Sequence, residues 1–69
     1  MKASMKTAIS LYEGETFYVV ESPSVPFFRA YGRGNEKGTF FWGITASDLM
    51  ATLRKNKPEW AQEIDMAGD

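Results

Sequence analysis

The sequence predicts a single α+β domain over residues 1–69, in which a four-stranded antiparallel sheet of two hairpins carries one or two C-terminal helices on one face. Two observations predict this class. Runs rich in β-branched and aromatic residues, separated by turn-forming residues, fill the first two thirds of the chain. From residue 46 onward, the apolar residues instead recur with the spacing of a helix.

The first predicted hairpin joins strands at residues 7–12 and 16–21 through a Glu-Gly-Glu turn at residues 13–15. In the expected register Ile9 lies opposite Val19, so that the apolar side chains of both strands share one face. The two prolines that follow, within residues 22–26, remove backbone donors. They predict a connection or a sheet edge rather than a central strand.

The second predicted hairpin turns at residues 32–38, where three glycines and an asparagine tolerate positive φ angles. The glycine spacing matches no nucleotide-binding fingerprint, so a hairpin tip is favoured over a phosphate loop. Pairing Tyr31 with Thr39 then assigns the side chains of both strands to two faces. The inner face would hold Phe28, Ala30, Phe40 and Trp42, and the outer face Phe27, Arg29, Tyr31 and Phe41. A barrel-like sheet, bent at Gly32 or Gly43, is the alternative architecture.

Two helices are predicted after the sheet. The first places four apolar residues on one stripe: Ala46, Leu49, Met50 and Leu53. Thr45, with Asp48 three residues later, is a suitable N-cap, and Ser47 is the competing one. Lys57 and Pro58 end this helix, and a second helix over residues 58–66 begins at the proline. Its apolar side consists of Trp60, Ala61 and Ile64.

Length and composition restrict the class further. At 69 residues and without cysteine, the chain has no disulfide or thiolate zinc site to stabilise a small core. Apolar packing must supply the stability, and self-association into a homodimer is one way to add to it. A hydrophobic content of 43% and a net charge of -1 are typical of a folded domain rather than a disordered segment.

The sequence carries no sign of a membrane segment or a leader. No run of 18 apolar residues occurs, and residues 1–6 lack the apolar stretch of a signal peptide. We therefore expect a cytoplasmic protein that does not associate with membranes.

The residue types also argue against catalysis. The chain contains neither histidine nor cysteine, so the usual general base, thiol nucleophile and zinc ligands are missing. Glu59 and Glu63 stand four residues apart, as a metal-binding pair would. Hard cations need several more oxygen ligands than the sequence provides nearby, so a solvated helix face is favoured. We expect a protein that is not an enzyme and has no cofactor or bound metal.

Residues 25–45 contain more aromatic side chains than one sheet face can hold. The surplus should face a partner, a second subunit, or the chain's own proline-rich loop or C-terminal helix. A protein partner of unknown identity is favoured, because aromatic residues and arginine are enriched at the energetic centres of interfaces. The predicted partner-binding residues are Phe27, Arg29, Tyr31, Arg33, Lys37 and Phe41.

Single-stranded nucleic acid is the alternative partner. The same rings would stack on bases, while Arg33 and Lys37 would contact the backbone. Residues 26–57 carry six basic and two acidic side chains, but residues 58–69 carry four acidic ones and no base. That acidic end and the pI of about 5.3 disfavour a nucleic acid.

In size, acidic balance, single-domain layout and lack of catalytic residues, the chain resembles the small accessory inhibitors made by bacteriophages and mobile elements, anti-CRISPR proteins among them. The resemblance is one of type and covers no particular residues. It implies stoichiometric inhibition, in which the protein occupies a site on its target and needs no turnover.

Overall fold

The computed structural model describes residues 9–10, 12–22 and 27–67. It contains three strands, β1 (Phe17–Glu21), β2 (Phe28–Gly32) and β3 (Phe40–Gly43), followed by two helices, α1 (Ala46–Asn56) and α2 (Pro58–Ala67). A short 3₁₀ helix, Gly34–Glu36, lies between β2 and β3. The α+β class is therefore confirmed, with three strands rather than four in the described part of the chain.

The strands form one antiparallel sheet in the order β1-β2-β3. In the central strand, Ala30 lies opposite Val19 of β1 and opposite Phe41 of β3. The Gly32 N–H donates a hydrogen bond of 3.0 Å to the Thr39 carbonyl and closes the second hairpin. Among the described strands, β2 is thus paired on both sides, while β1 and β3 are the outer strands.

The hydrophobic core lies between one face of the sheet and the two helices. Helix α1 packs against β2 and β3, and α2 packs against α1. At the centre, the fully buried rings of Phe17 and Trp60 stack with centroids 4.2 Å apart and planes nearly parallel. The sheet contributes Phe17, Val19, Phe28 and Ala30 to this core, and the helices contribute Ala46, Leu49, Met50, Leu53, Trp60, Ala61 and Ile64.

The helix boundaries follow the predicted capping signals. Thr45 is the N-cap of α1: its hydroxyl accepts from the Asp48 N–H, and the Asp48 carboxylate accepts from the Thr45 N–H. Lys57 ends α1, and Pro58 begins α2. The Lys57 ammonium also donates to the Glu36 carboxylate at 3.0 and 3.1 Å, which raises the pKa of Lys57. The helix junction is thereby tied to the 3₁₀ helix.

The predicted strand at residues 7–12 is wrong where the structure describes it. Ile9 and Ser10 have helical backbone conformation, and within the described residues the pairing beyond β1 is a single bridge between Glu13 and Tyr18. Residues 7, 8 and 11 lie outside the described residues, as do residues 23–26 of the predicted connection.

The reason for this difference lies in the contacts of Tyr12. Its ring stacks on Phe17 with centroids 4.6 Å apart, and its hydroxyl donates to the Glu63 carboxylate on α2. Tyr12 therefore lies on the side of the sheet that the helices cover. Ile9 is fully buried in the same core. The segment before β1 thus contributes side chains to the core rather than a strand to the sheet.

The register predicted for the second hairpin is also wrong, by one residue. Gly32 rather than Tyr31 lies opposite Thr39, so the connection is one residue shorter than predicted. Gly32 belongs to β2, where its missing side chain leaves room for the backbone of Glu36. Because side chains alternate along a strand, a shift of one residue moves every side chain of β3 to the opposite face.

The consequence is that β3 presents different residues to each face than predicted. Phe41 lies against the core, edge-on to Trp60 with centroids 5.7 Å apart. Phe40 and Trp42 lie on the outer face and are exposed. Gly43 takes the inward position beside α1, where a larger side chain would meet the helix backbone. Phe41 is therefore not on the outer face, where the sequence predicts it.

Candidate protein-binding face of the sheet

Aromatic and arginine side chains cover the face of the sheet opposite the helices. We call this surface the outer aromatic face. It follows from the alternation of side chains: the residues of β1 and β2 between the core positions point away from the helices. The outer aromatic face consists of Tyr18, Phe27, Arg29, Tyr31, Phe40 and Trp42.

The rings of the outer aromatic face contact one another across the strands. Tyr31 on the central strand lies between Tyr18 and Phe40, with centroid distances of 5.5 and 5.1 Å. At the other end of the face, Phe27 and Trp42 lie 5.4 Å apart. These tilted arrangements are favourable ring geometries. The face therefore carries two groups of contacting rings, one of three and one of two, rather than scattered apolar residues.

Arg29 lies at the centre of the outer aromatic face. Its guanidinium carbon is 5.6 Å from the centroid of the Phe27 ring and 6.0 Å from that of Tyr31. One guanidinium nitrogen also donates to the Tyr31 hydroxyl at 3.3 Å. No described residue accepts from the buried Arg29 Nε. The rings hold the cation in place by cation–π attraction, without a carboxylate partner among the described residues.

Arg33 extends the positive charge beyond the end of β2. Its guanidinium lies 4.4 Å from the centroid of the Tyr18 ring, and it pairs with the Glu13 carboxylate at 3.3 Å. Because this ion pair is exposed, it contributes little to stability. Together, the Tyr18 ring and the ion pair position the Arg33 guanidinium beside the outer aromatic face.

Within the outer aromatic face, the side chains of β3 are the most exposed. Phe40 and Trp42 expose 44% and 51% of their surface. Tyr18 and Tyr31 are half-buried by their neighbours in the layer. Exposed apolar side chains that lie side by side can mark a contact surface, so Phe40 and Trp42 make this side of the face a candidate contact site.

Three of the predicted partner-binding residues lie together on the outer aromatic face: Phe27, Arg29 and Tyr31. Arg33 lies directly beside them. Lys37 is exposed in the connection between β2 and β3, and no ion pair to it occurs within the described residues. Phe41 belongs to the core side, as described for the fold.

The sequence prediction misses Tyr18, Phe40 and Trp42 as members of the outer aromatic face. It places Tyr18 on the correct side of its strand but does not link it to the second hairpin. For Phe40 and Trp42, the length of the turn between β2 and β3 would have given the correct face. Pairing Gly32 with Thr39 leaves residues 33–38 as the connection and sends Phe40 and Trp42 outward.

The carboxylates of α2 are engaged in contacts within the protein. Glu63 accepts from Tyr12, and burial together with this bond raises the pKa of Tyr12 to about 12. Glu59 lies 3.7 Å from the Lys57 ammonium. Among the described residues, no group of three or more metal-ligating side chains could hold a metal ion.

The chain matches no protein-family model, no curated protein and no solved structure. In the described residues, no helix has both the length and the apolar character that a membrane crossing requires.

Proposed function

We propose that the protein is a non-catalytic binding module that contacts a protein partner through the outer aromatic face. The observation that carries this proposal is that Arg29 lies between two groups of contacting rings, in which Phe40 and Trp42 expose about half of their surface. Tyrosine, tryptophan and arginine are the residues that dominate the energetics of protein interfaces.

The layer is well prepared for binding because its parts are already ordered. Ring contacts hold Tyr18, Tyr31 and Phe40 against one another, and two rings hold the Arg29 guanidinium. Side chains that are fixed before binding lose less conformational entropy when the complex forms. More of the gain from burying the rings then remains as affinity.

The resemblance in type to small phage and mobile-element inhibitors, such as anti-CRISPR proteins, supports a specific form of this proposal. In that form the protein is a stoichiometric inhibitor that occupies a functional surface of its target. Titrating the target's activity should give a loss that is complete at a fixed molar ratio and does not progress with time. A time-dependent loss at substoichiometric amounts would instead indicate turnover.

The test is a pull-down from bacterial lysate with the wild-type chain and three variants, with and without nuclease. Arg29→Ala and Trp42→Ala remove the centre and the exposed rim of the layer. Met66→Ala is the matched control, because Met66 is also a large exposed apolar residue but lies on α2. A specific partner should be retained by the wild type and the control and lost with both other variants.

Binding constants for the captured partner complete the test. We expect Arg29→Ala and Trp42→Ala to cost about 1–4 kcal/mol each in affinity, with unchanged circular dichroism. Equal affinity of all four proteins would refute the proposal. Unfolding of Arg29→Ala would instead assign Arg29 to the structural core.

A single-stranded nucleic acid is the second candidate partner, since stacked rings beside Arg29 and Arg33 also suit bases and phosphates. Salt separates the two candidates. Affinity for a nucleic acid should fall steeply with added salt because counterions are released on binding. An aromatic protein contact should change little. Capture that disappears after nuclease treatment would favour the nucleic acid.

A further inference from the structure

Within the described part of the chain, the outer edge of β3 is an open strand edge. No described residue pairs with the side of β3 that faces away from β2. Natural edge strands usually carry a charge, a proline or a bulge that prevents pairing with another chain. The sequence of β3, Phe-Phe-Trp-Gly, contains neither a charged residue nor a proline.

Backbone groups of Phe40 and Trp42 point outward from this edge. In an antiparallel pair, residues alternate between hydrogen-bonded and non-hydrogen-bonded positions. The bond from Gly32 to Thr39 marks a hydrogen-bonded position, so Phe41 is the next one along β3. The N–H and carbonyl groups of Phe40 and Trp42 therefore face away from β2, and no bond joins them to a described residue outside the sheet.

Exposed apolar side chains concentrate at the same place. Among the described residues, four large apolar side chains are exposed, and three of them belong to β3 or follow it directly. Phe40 is 44% exposed, and Trp42 and Ile44 are each 51% exposed. The fourth, Met66, lies on α2.

A groove of about 450 Å³ runs beside the edge, between β3 and α1. Phe41 and Gly43 line it from the strand, and Asp48 and Thr52 line it from the helix. A strand added at this edge would alternate its side chains between the outer aromatic face and this groove. The edge thus combines free backbone partners with space for an inward-pointing side chain.

We propose that β3 pairs antiparallel with β3 of a second copy of this chain, which joins two sheets into one. One register satisfies every outward group. Phe40 lies opposite the second copy's Trp42, and the two Phe41 residues meet at the two-fold axis. In this register the outward groups of Phe40 and Trp42 bond to those of the second copy.

A second copy fits this edge because the strand is complementary to itself. On the outer face, each cross-strand pair consists of a phenylalanine and a tryptophan, which is a favourable aromatic pair. On the inner side, the Phe41 side chains approach each other at the groove. No charge of the strand is buried, since β3 has none. Pairing also gives a 69-residue chain without cysteine the extra burial that small domains commonly require.

The test is the molar mass in solution, by sedimentation equilibrium over a range of concentrations. We expect the mass to rise with concentration from 7.8 kDa to twice that value. Phe40→Lys and Trp42→Glu should each weaken association about tenfold or more, because each places a charge against a ring in both halves of the interface. Both positions are exposed in one chain, so neither change should prevent folding.

Combining the two substitutions tests the register and the identity of the partner. In the double variant, the new ammonium group at position 40 of one copy faces the new carboxylate at position 42 of the other, so association should recover most of the loss. An equimolar mixture of the two single variants should recover one such pair. Met66→Lys is the control and should associate like the wild type.

A mass of one chain at every concentration would overturn the proposal. Association that neither single substitution weakens, or a double variant no tighter than the single ones, would also overturn it. A chain that stays monomeric but binds an unrelated peptide at β3 would show that the edge has a different occupant. Arg29→Ala should associate normally while it loses the protein partner. This variant therefore distinguishes a failure of this inference from a failure of the proposed function.

Discussion

At the scale of single residues, neighbouring side chains on β3 have opposite roles. Phe41 packs edge-on to Trp60, while Phe40 lies on the exposed face. We expect Phe41→Ala to lower the free energy of unfolding by about 2 kcal/mol, which is below the usual cost for a fully buried phenylalanine. Phe40→Ala should cost less than about 1 kcal/mol. Urea unfolding of dilute protein measures both.

This comparison also tests the register of the sheet. If the pairing predicted from the sequence were the correct one, Phe40 would be the buried residue and Phe41 the exposed one. The order of the two destabilisations would then reverse. A larger effect of Phe40→Ala would therefore contradict the structure.

The titration of Tyr12 should make the free energy of unfolding depend on pH in the alkaline range. Burial and the bond to Glu63 raise its pKa to about 12, while the unfolded chain keeps a pKa of about 10. Between these values, unfolding releases a proton, so the free energy of unfolding should fall as the pH rises. Below the unfolded value this dependence disappears, because the hydroxyl is protonated in both states.

The variant Tyr12→Phe isolates this effect. It lacks the titrating hydroxyl, so its stability should decline less than that of the wild type between about pH 9 and about pH 11.5. Glu63→Gln keeps an acceptor but removes the charge and should show an intermediate decline. Parallel pH profiles for the wild type and Tyr12→Phe, measured by urea unfolding, would refute the assignment.

At the scale of elements, the position of α1 over the sheet depends on Gly43. A Cβ atom at this position would lie 2.8 Å from the Leu49 Cα and would also overlap the Leu49 nitrogen. Because these are backbone atoms, the helix itself would have to move. We expect Gly43→Ala to cost about 2 kcal/mol of stability, in the range of overpacking substitutions. Thermal or urea unfolding measures the loss.

A suitable control is Gln62→Ala on the exposed side of α2. It changes an exposed helical residue without meeting the core, and alanine is the strongest helix former. Its stability should equal or slightly exceed that of the wild type. If Gly43→Ala were as stable as this control, the close packing of α1 on β3 would be incorrect.

Helices are easier to predict than strands in this chain because their signals are local. Thr45, Asp48 and Pro58 mark helix boundaries by chemistry within a few residues, and the stripe containing Leu49 and Leu53 identifies the buried side. Strand pairing depends on the length of a turn. Whether Gly32 belongs to the turn or the strand decides the faces of β3, and composition alone does not distinguish these cases.

At the scale of the whole molecule, the sheet divides the rings into a buried layer and an exposed one. The sequence predicts the surplus of aromatic residues and the place of Arg29 on the outer face. It does not assign each ring, because the choice between Phe40 and Phe41 depends on register. It also misses Tyr12, whose place in the core depends on contacts with Phe17 and with α2, and the latter is distant in sequence.

The two tryptophans report on this division directly. Trp60 is fully buried between the sheet and the helices, and Trp42 is 51% exposed on the outer aromatic face. We expect acrylamide to quench the fluorescence of dilute protein in two components, one accessible and one protected. Trp42→Phe should remove the accessible component and leave the protected one unchanged. Acrylamide is the suitable quencher because it is neutral and is not attracted by Arg29.

Repeating the quenching experiment at several protein concentrations also tests the pairing of β3. If β3 pairs with a second copy, Trp42 packs against the second copy's Phe40, and its quenching should decrease as the protein concentration rises. Trp60 should remain protected throughout. Equal quenching of both tryptophans would contradict the separation into two layers. Two components that do not change with concentration would preserve the fold and the outer aromatic face but count against pairing at β3.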